Sequence, residues 1–268
     1  MIYLIFLSIV AAIMLIFKFG FSTPAVDYRY PRILMYHMVC EHKQGAKFNK
    51  LRVTPKHFEE QISWLVENGW TFVTMAEIAS GVWLSQEKCV AITFDDGYED
   101  NYTNALPILK QHQAKGTLYL VVNRHDNDWS VQKKAHHDSG ELMREAKLSD
   151  QQVQDMVKSG CIELGGHTTN HINFATTSKE QKSKEVTESK QFLESRFATK
   201  VTSFAYPFGI LTEEDPALIE QAGYDNAVLA EGGIETSPET NRFKIRRIKI
   251  SGKDSLRTFK RKIAAGKK

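Results

Sequence analysis

The 268-residue sequence has few cysteines, little excess of charge of either sign and no low-complexity segment. Its three cysteines, Cys40, Cys89 and Cys161, are odd in number and widely spaced, which argues against a disulfide framework and against a CxxC metal site. The net charge of +3 comes from basic residues spread along the chain, so we expect no nucleic-acid partner. With 42% hydrophobic and 25% charged residues, the composition is that of a globular protein.

The first segment of the chain is a long apolar run. In residues 2–17 only Ser8 interrupts the aliphatic and aromatic side chains, and the apolar character resumes after Lys18 as far as Phe21. About 20 helical residues cross a bilayer, so residues 2–21 are predicted to form a transmembrane helix with Lys18 at the interface. The run has no preceding Lys or Arg and no convincing cleavage pattern, which favours a retained anchor or uncleaved signal over residues 1–22. Residues 23–31 are expected to be a linker.

Short β-prone runs then alternate with amphipathic stretches, the pattern of an α/β protein with a mostly parallel sheet. The runs cover residues 32–39, 71–73, 89–94, 117–122, 161–164, 202–206, 226–229 and 244–248. Seven or eight such units predict a closed or nearly closed β/α barrel, and an open doubly wound sheet is compatible with the same pattern.

The predicted helices carry start and stop signals. Thr54 precedes Pro55, and three pairs have the spacing of a capping box, namely Thr74 with Glu77, Ser149 with Gln152 and Ser178 with Gln181. Four glycines are expected to end helices, namely Gly69, Gly116, Gly160 and Gly223.

Two adjacent carboxylates, Asp95 and Asp96, follow the apolar run that ends at Phe94. In a barrel, chemistry lies where strands end and the following loops begin. Side-by-side carboxylates repel each other, and a divalent cation would offset that charge. Because neighbouring side chains diverge, one carboxylate can bind a metal while the other faces the substrate. Taken alone, the segment also fits a plain Asp-Asp-Gly turn.

A second polar segment follows the run that ends at Leu164 and contains His167 and His171. A spacing of four residues would place both imidazoles on one face of a helical turn, where they can bind a single metal. A carboxylate from another strand end would complete a two-histidine, one-carboxylate set with open positions for water and substrate. Such a set suits Zn²⁺, and Co²⁺, Ni²⁺ or Fe²⁺ can also occupy it.

Together, the segments at residues 94–97 and 167–171 resemble the polysaccharide deacetylase (NodB-like) domain, carbohydrate esterase family four. The segments at residues 33–37 and 204–209 resemble in particular the branch that deacetylates poly-N-acetylglucosamine. The resemblance implies a distorted (β/α) barrel of about seven units, which we place at residues 32–268. It also implies a hydrolase that removes N-acetyl groups from an N-acetylhexosamine-containing glycan through metal-activated water.

The resemblance implies roles for individual residues. Asp96, His167 and His171 would bind the metal, and Asp95 would be the general base. The family's Arg-x-Pro-Tyr motif, whose arginine orients the base, reads Ala-Tyr-Pro-Phe at residues 205–208, so the arginine is missing. Arg246 or Arg247 is our hypothesis for its replacement.

The catalytic acid also departs from the family pattern. The usual Leu-x-His motif near the C-terminus has no counterpart at residues 245–250, but Met35-Tyr36-His37 resembles it on the first strand. Because the first and last strands of a barrel are neighbours, His37 is the candidate acid, with a buried structural histidine as the alternative.

Residues beside the motifs are expected to contact the substrate, namely Tyr98, Tyr206, Pro207 and Phe208, with the Phe208 N–H as an oxyanion donor. Trp129, in the polar stretch at residues 123–147, is a further candidate for glycan contact. His136 and His137 of that stretch are expected to lie in a solvated loop, with substrate contact as the alternative.

The expected partners are an acetylated amino-sugar glycan, the membrane through the N-terminal helix, and a polysaccharide synthase or export machinery. Basic residues after the apolar run would by the positive-inside rule leave the domain in the cytoplasm, whereas the resemblance implies a periplasmic or extracellular domain, which we expect. A deacetylase of a lipid-linked sugar, peptidoglycan or an O-acetyl ester is the enzymatic alternative. A non-catalytic glycan-binding protein with the same fold is the other alternative.

Overall fold

The computed structural model of the protein describes residues 24–134, 137, 139–230 and 232–267. The predicted transmembrane helix at residues 2–21 lies outside this part of the chain. Within the described residues, no helix is both long and apolar enough to cross a bilayer. The three cysteines are all unpaired, as their spacing predicts.

The central sheet has eight strands, and all of their pairings are parallel. Its strands are β1 (Arg32–Tyr36), β4 (Thr71–Phe72), β5 (Cys89–Asp96), β6 (Gly116–Leu120), β7 (Ile162–Gly166), β8 (Ser203–Ala205), β9 (Asn226–Val228) and β10 (Ile248–Lys249). They follow the order β10-β1-β5-β6-β7-β8-β9, and β4 pairs with β5 outside this path. A separate parallel pair, β2 (Met38–Val39) with β3 (Arg52–Val53), was not predicted from the sequence.

The sheet is a parallel-strand half-barrel whose two edges are connected by one short segment. Ile245 forms a single parallel bridge with Val228 of β9. A few residues later, β10 pairs with β1 at the other edge. Because one segment cannot pair with both edges along its whole length, β10 is shorter than the predicted run at residues 244–248. The parallel α/β architecture predicted from the sequence is confirmed.

The helices lie between the strands, as the alternating pattern predicts. They are α1 (Pro55–Glu67), α2 (Met75–Ala79), α3 (Leu106–Gln111), α4 (Ser130–Lys133), α5 (Asp150–Lys158), α6 (Lys179–Phe197), α7 (Asp215–Gln221) and α8 (Leu256–Ala265). Short 3₁₀ turns occupy Asn49–Leu51, Val82–Ser85 and Pro207–Gly209, and a π-helical turn occupies Asn101–Ala105.

Most of the predicted helix signals are confirmed. Complete capping boxes at Thr74 and Ser149 begin α2 and α5, and the hydroxyls of Thr54 and Ser178 cap α1 and α6. Three of the four glycines have a positive φ after a helix, namely Gly69, Gly160 and Gly223. The prediction for Gly116 is wrong, because Gln113 takes the left-handed conformation after α3, at φ 52°, and Gly116 begins β6.

Alternation of side chains along the strands produces two apolar cores. Leu34, Ile92 and Leu118 belong to the larger core, which packs beneath α1 and α8. Ile33, Ala91 and Tyr119, from the same three strands, belong to a smaller core inside the half-barrel. Helix α2 packs at one end of this interior, where the Met75 N–H donates to the Thr117 hydroxyl and the Asn226 amide donates to the Met75 carbonyl.

Candidate metal centre and active site

The carboxyl ends of four strands bring most of the predicted residues to one cavity of about 390 Å³. Asp95 and Asp96 end β5, His37 directly follows β1, and His167 directly follows β7. The predicted residues that line the cavity are His37, Asp95, Asp96, His167, His171 and Phe208. Since parallel strands end on the same side, residues far apart in the sequence converge there.

Asp96, His167 and His171 lie close enough to share one metal ion. The Asp96 Oδ1 atom is 3.4 Å from His167 Nε2 and 3.3 Å from His171 Nε2. All three ligand atoms lie within 4.8 Å of one another. Bonds of about 2.0–2.1 Å to a tetrahedral ion separate neighbouring ligand atoms by about 3.3 Å. The donor set therefore fits a divalent cation with Asp96 as its carboxylate ligand.

Hydrogen bonding fixes how His167 presents its lone pair. Its Nδ1 lies 2.7 Å from the Ala205 carbonyl oxygen, which can only accept, so Nδ1 carries the proton. The Nε2 lone pair therefore faces Asp96. A histidine ligand oriented by a backbone carbonyl in this way is typical of metal sites.

The protonation states of the other two ligands also suit a metal. Burial lowers the pKa of His171 to about 4, so its imidazole is neutral at neutral pH. Burial acts to raise the pKa of Asp96, but the neighbouring imidazoles of His167 and His171 hold it well below its ordinary value. Metal ligands must be deprotonated, and these groups already are.

The two histidines do not lie on a helical turn, which corrects the prediction from their spacing. Residues 167–171 form a loop in which Thr168 and His171 have positive φ angles of 66° and 53°. The loop is held by β-type bonds, since the Val122 and Asn123 N–H groups donate to the carbonyls of Thr168 and Thr169. This backbone, rather than a helix face, brings the two imidazole rings to a centroid distance of 4.7 Å.

Arg247 replaces the arginine that is missing from the family motif. Its Nη1 and Nη2 donate to the two carboxylate oxygens of Asp95, both at 2.7 Å. The same guanidinium donates to the Thr93 hydroxyl at 2.9 Å and to the Leu229 carbonyl at 2.6 Å. Arg246 instead pairs with Glu235, which decides between the two hypothesised residues.

This ion pair keeps Asp95 anionic although it is buried. Burial acts to raise the pKa of Asp95, but the Arg247 guanidinium holds it below its ordinary value. Asp95 and Asp96 are neighbours with different partners, one facing an arginine and the other facing two imidazoles. The division of roles expected for adjacent carboxylates matches this arrangement.

His37 lies half-buried in the cavity wall, directly after β1, which pairs with the strand that carries Asp95. Its backbone carbonyl accepts a hydrogen bond from the Asn101 side chain at 2.8 Å, which holds the residue in place after β1. Burial lowers the pKa of His37, while the carboxylates of Asp96 and Asp95 act in the opposite direction. The side chain therefore sits where it can exchange a proton with a group in the cavity.

Three of the four predicted substrate contacts are not met by the structure. Tyr98 and Tyr206 are 0% and 1% exposed, and neither lines the cavity. Tyr98 packs with Lys147, whose Nζ lies 4.8 Å from the ring centroid, and the Tyr206 hydroxyl donates to the Phe243 carbonyl. Both rings are therefore covered by other parts of the protein. Pro207 is also buried, whereas Phe208 faces the cavity.

Sequence reasoning missed or underrated several residues around the cavity opening. Phe48 and His137 both line the cavity and contact each other, with ring centroids 5.6 Å apart, so His137 is not merely part of a solvated loop. Trp129 lines it as well, 5.1 Å from the His171 ring. Glu141 accepts hydrogen bonds from the Phe48 N–H and from the buried Arg52, which ties two distant loops together. No local pattern in the sequence pairs these loops.

The fold and the site together define an α/β enzyme of the deacetylase class. A family model described as polysaccharide deacetylase matches residues 85–227. The chain belongs to the polysaccharide deacetylase family, as its motifs predict.

Individual relatives agree with this assignment. The chain is 32% identical to YxkH of Bacillus subtilis (strain 168), which bears a provisional polysaccharide deacetylase name, over 82% of this chain and 71% of that protein. It is 24% identical to the poly-β-1,6-N-acetyl-D-glucosamine N-deacetylase of Staphylococcus epidermidis, over 77% of this chain and 70% of that protein. The solved structure of the Streptococcus pyogenes deacetylase PplD in complex with acetate has the same fold, with a TM-score of 0.73 and 24% identity over 89% of this chain and 99% of that chain.

The metal centre yields the first prediction. Replacing His171 with alanine removes one of three protein ligands, so we expect the affinity for Zn²⁺ or Co²⁺ to fall by more than about 100-fold. Titration calorimetry and metal analysis of the purified protein measure this. The matched control is His125→Ala, an exposed histidine that does not line the cavity. Equal metal affinity in both variants would show that the three residues do not form the site.

Proposed function

We propose that the protein is a metal-dependent hydrolase that removes N-acetyl groups from an N-acetylhexosamine-containing glycan. The observation that carries this proposal is a buried carboxylate, Asp95, held by Arg247 beside a three-residue metal-binding set in one open cavity. Relatives named as poly-β-1,6-N-acetyl-D-glucosamine N-deacetylases support it. Zn²⁺ is the proposed metal, with Co²⁺, Ni²⁺ and Fe²⁺ as alternatives.

A divalent cation held by Asp96, His167 and His171 would acidify water and polarise the acetyl carbonyl. Asp95 then acts as the general base that accepts the proton of the attacking water. Arg247 holds both oxygens of this carboxylate in a fixed plane, so the base does not need to be oriented during the reaction. A carboxylate with a lowered pKa is a weak base, which would suffice for this step because the cation would acidify the water.

His37 is the proposed general acid, which protonates the departing sugar nitrogen. An amine leaves poorly as an anion, and general acid catalysis is worth roughly 100- to 10,000-fold. A histidine with a lowered pKa is a stronger acid once protonated, which suits donation to a poor leaving group. His37 directly follows β1, which pairs with the strand that carries Asp95, so the acid and the base can act on one bound acetamide.

The backbone at Phe208 is the proposed oxyanion donor. Phe208 has φ 60° and ψ 0°, and its ring packs on His171 at a centroid distance of 4.4 Å. Gly209 follows with φ 67°, and a Cβ there would overlap Ala230, so the turn is tightly held. Loss of one preorganised oxyanion donor typically costs about 3–4 kcal/mol. The contact between the Phe208 ring and His171 supports the proposal that the N–H of this turn acts near the metal ligands.

The Arg247 contact yields a second prediction. Arg247→Lys keeps the positive charge but loses the two-point contact, so we expect kcat for acetate release to fall on the order of 10- to 100-fold with bound metal unchanged. Arg246→Lys is the matched control, since Arg246 is paired with Glu235 away from the base. Acetate release from an N-acetylglucosamine oligosaccharide measures both. Full activity of Arg247→Lys, or of Asp95→Asn, would contradict the assignment of the base.

His37 yields a third prediction that separates proton donation from structure. His37→Ala should lower hydrolysis of the amide substrate by roughly 100- to 10,000-fold, because the amine then leaves without a proton. Hydrolysis of p-nitrophenyl acetate should change far less, since its phenolate leaves unassisted. Both rates are measured on the same metal-loaded preparation. An equal loss on both substrates would indicate that His37 maintains the site instead of acting as the acid.

We also propose on which side of the membrane the catalytic domain lies. The apolar run at residues 2–21 supports a membrane anchor that holds the catalytic domain in the periplasm or outside the cell, where a synthase or export machinery would deliver the glycan.

A reporter fused after Lys268 tests this location. Alkaline phosphatase, which matures only outside the cytoplasm, should be active there, whereas a cytoplasmic fluorescent reporter at the same position should be dark. The reverse pattern would contradict the proposed topology.

A further inference from the structure

A second cavity adjoins the catalytic cavity and is strongly basic. It has a volume of about 630 Å³ and is lined by five lysines, Lys50, Lys249, Lys253, Lys262 and Lys267. Lys50 and Lys249 line both cavities, so the two cavities adjoin each other. Among the described residues that line the second cavity, none is acidic.

Close backbone packing brings these lysines together from distant parts of the chain. The Gly252 N–H donates to the Lys50 carbonyl at 3.0 Å. A Cβ at Gly252 would overlap the carbonyl oxygens of Arg52 and Asn49, so only glycine permits this approach. The loop after β10 is therefore pressed onto the 3₁₀ turn Asn49–Leu51. Lys50 and Lys253 consequently lie on adjacent backbone segments at the edge of one cavity.

The positive charge of this cavity is only partly balanced within the protein. Lys262 pairs with Asp254, and Arg247 is committed to Asp95. Lys50, Lys249 and Lys253 are exposed, and in the described part of the chain none of them forms an ion pair with a carboxylate. Two more exposed lysines, Lys47 and Lys134, line the catalytic cavity.

This charge distribution bears on the substrate of the proposed deacetylation. Each turnover converts a neutral acetamide into an ammonium group, which nearby lysines repel. Lysines at this position would therefore weaken the binding of a polymer that accumulates amines. A glycan with a negative group near the reacting sugar would instead be attracted, and lysine ammonium groups bind phosphate as point charges.

We propose that the second cavity is an anion subsite, and that the substrate is an N-acetylated glycan carrying a phosphate or carboxylate group close to the sugar that is deacetylated. This proposal rests on the proposed function. The cavity is concave and adjoins the catalytic cavity, which favours an anionic group of the substrate itself over a flat anionic membrane surface. Lys50 and Lys249, which are common to both cavities, would lie between the reacting sugar and the anion.

Three matched substrates test the proposal on the full chain loaded with Zn²⁺. They are a neutral N-acetylglucosamine trisaccharide, the same trisaccharide with a terminal phosphate monoester, and the same trisaccharide with a terminal uronate. We expect kcat/KM for at least one anionic substrate to exceed that for the neutral one by about tenfold or more, with the preference weakening at high salt. The anion that is preferred identifies the class of negative group.

Variants connect this preference to the cavity. Lys50→Ala combined with Lys253→Ala should bring the ratio of anionic to neutral kcat/KM close to about one, because the charges that attract the anion are gone. Lys253→Glu alone should lower the ratio further than Lys253→Ala. The control combines Lys158→Ala with Lys184→Ala, two lysines on outer helices that line neither cavity, and should keep the ratio of the wild type.

The outcomes separate the two proposals. If no trisaccharide releases acetate, the proposed function itself fails. If all three release acetate with equal kcat/KM, or if the preference survives in the Lys50 and Lys253 double variant, the function stands and the anion subsite is wrong. In that case the lysines would serve another purpose, such as contact with anionic lipid headgroups.

Discussion

The two-point contact between Arg247 and Asp95 is the constraint on which the rest of the active site depends. It crosses the interior of the half-barrel from the segment before β10 to the end of β5. Removing one partner of a buried ion pair typically costs about 3–5 kcal/mol, because the other charge is left without compensation. The guanidinium also bonds to Thr93 and Leu229, so the base, the strand that carries it and the joined edges of the sheet form one connected unit. Orientation of the base is therefore coupled to closure of the fold.

Asp95 and Asp96 are adjacent at the end of β5, and their carboxylates face different partners. Both residues keep the β5 register, Asp95 opposite Tyr119 and Asp96 opposite Leu120, but Asp96 has φ 80° and its carboxylate faces the two histidines. One carboxylate faces an arginine and the other faces two imidazoles, and we propose that a metal completes the second set. Two like charges thus remain on neighbouring residues without either being protonated.

The rim of the site, which is the set of loops around the cavity opening, is held in place differently from the centre of the site. Asp95 and Asp96, with His167, lie at strand ends, whose positions follow from the sheet. The loops of the rim are held together by side-chain contacts. For example, Glu141 and Glu145 both form ion pairs with the buried Arg52. These contacts position Phe48 and the exposed lysines at the cavity opening. Such loops can change the choice of substrate while the strand ends keep the chemistry.

The sequence by itself determined most of the strands, most helix starts, the family and the residues that we propose as metal ligands and base. Those features depend on local patterns, such as apolar runs, capping boxes and polar residues directly after strands. Only the tertiary structure decided that Arg247 rather than Arg246 reaches Asp95, because neighbouring residues point to opposite sides and the choice depends on how β10 pairs with β1. It also decided that Tyr98 and Tyr206 are covered and that Lys50 lies beside Lys253. These outcomes depend on packing between residues far apart in the chain, which local periodicity does not encode.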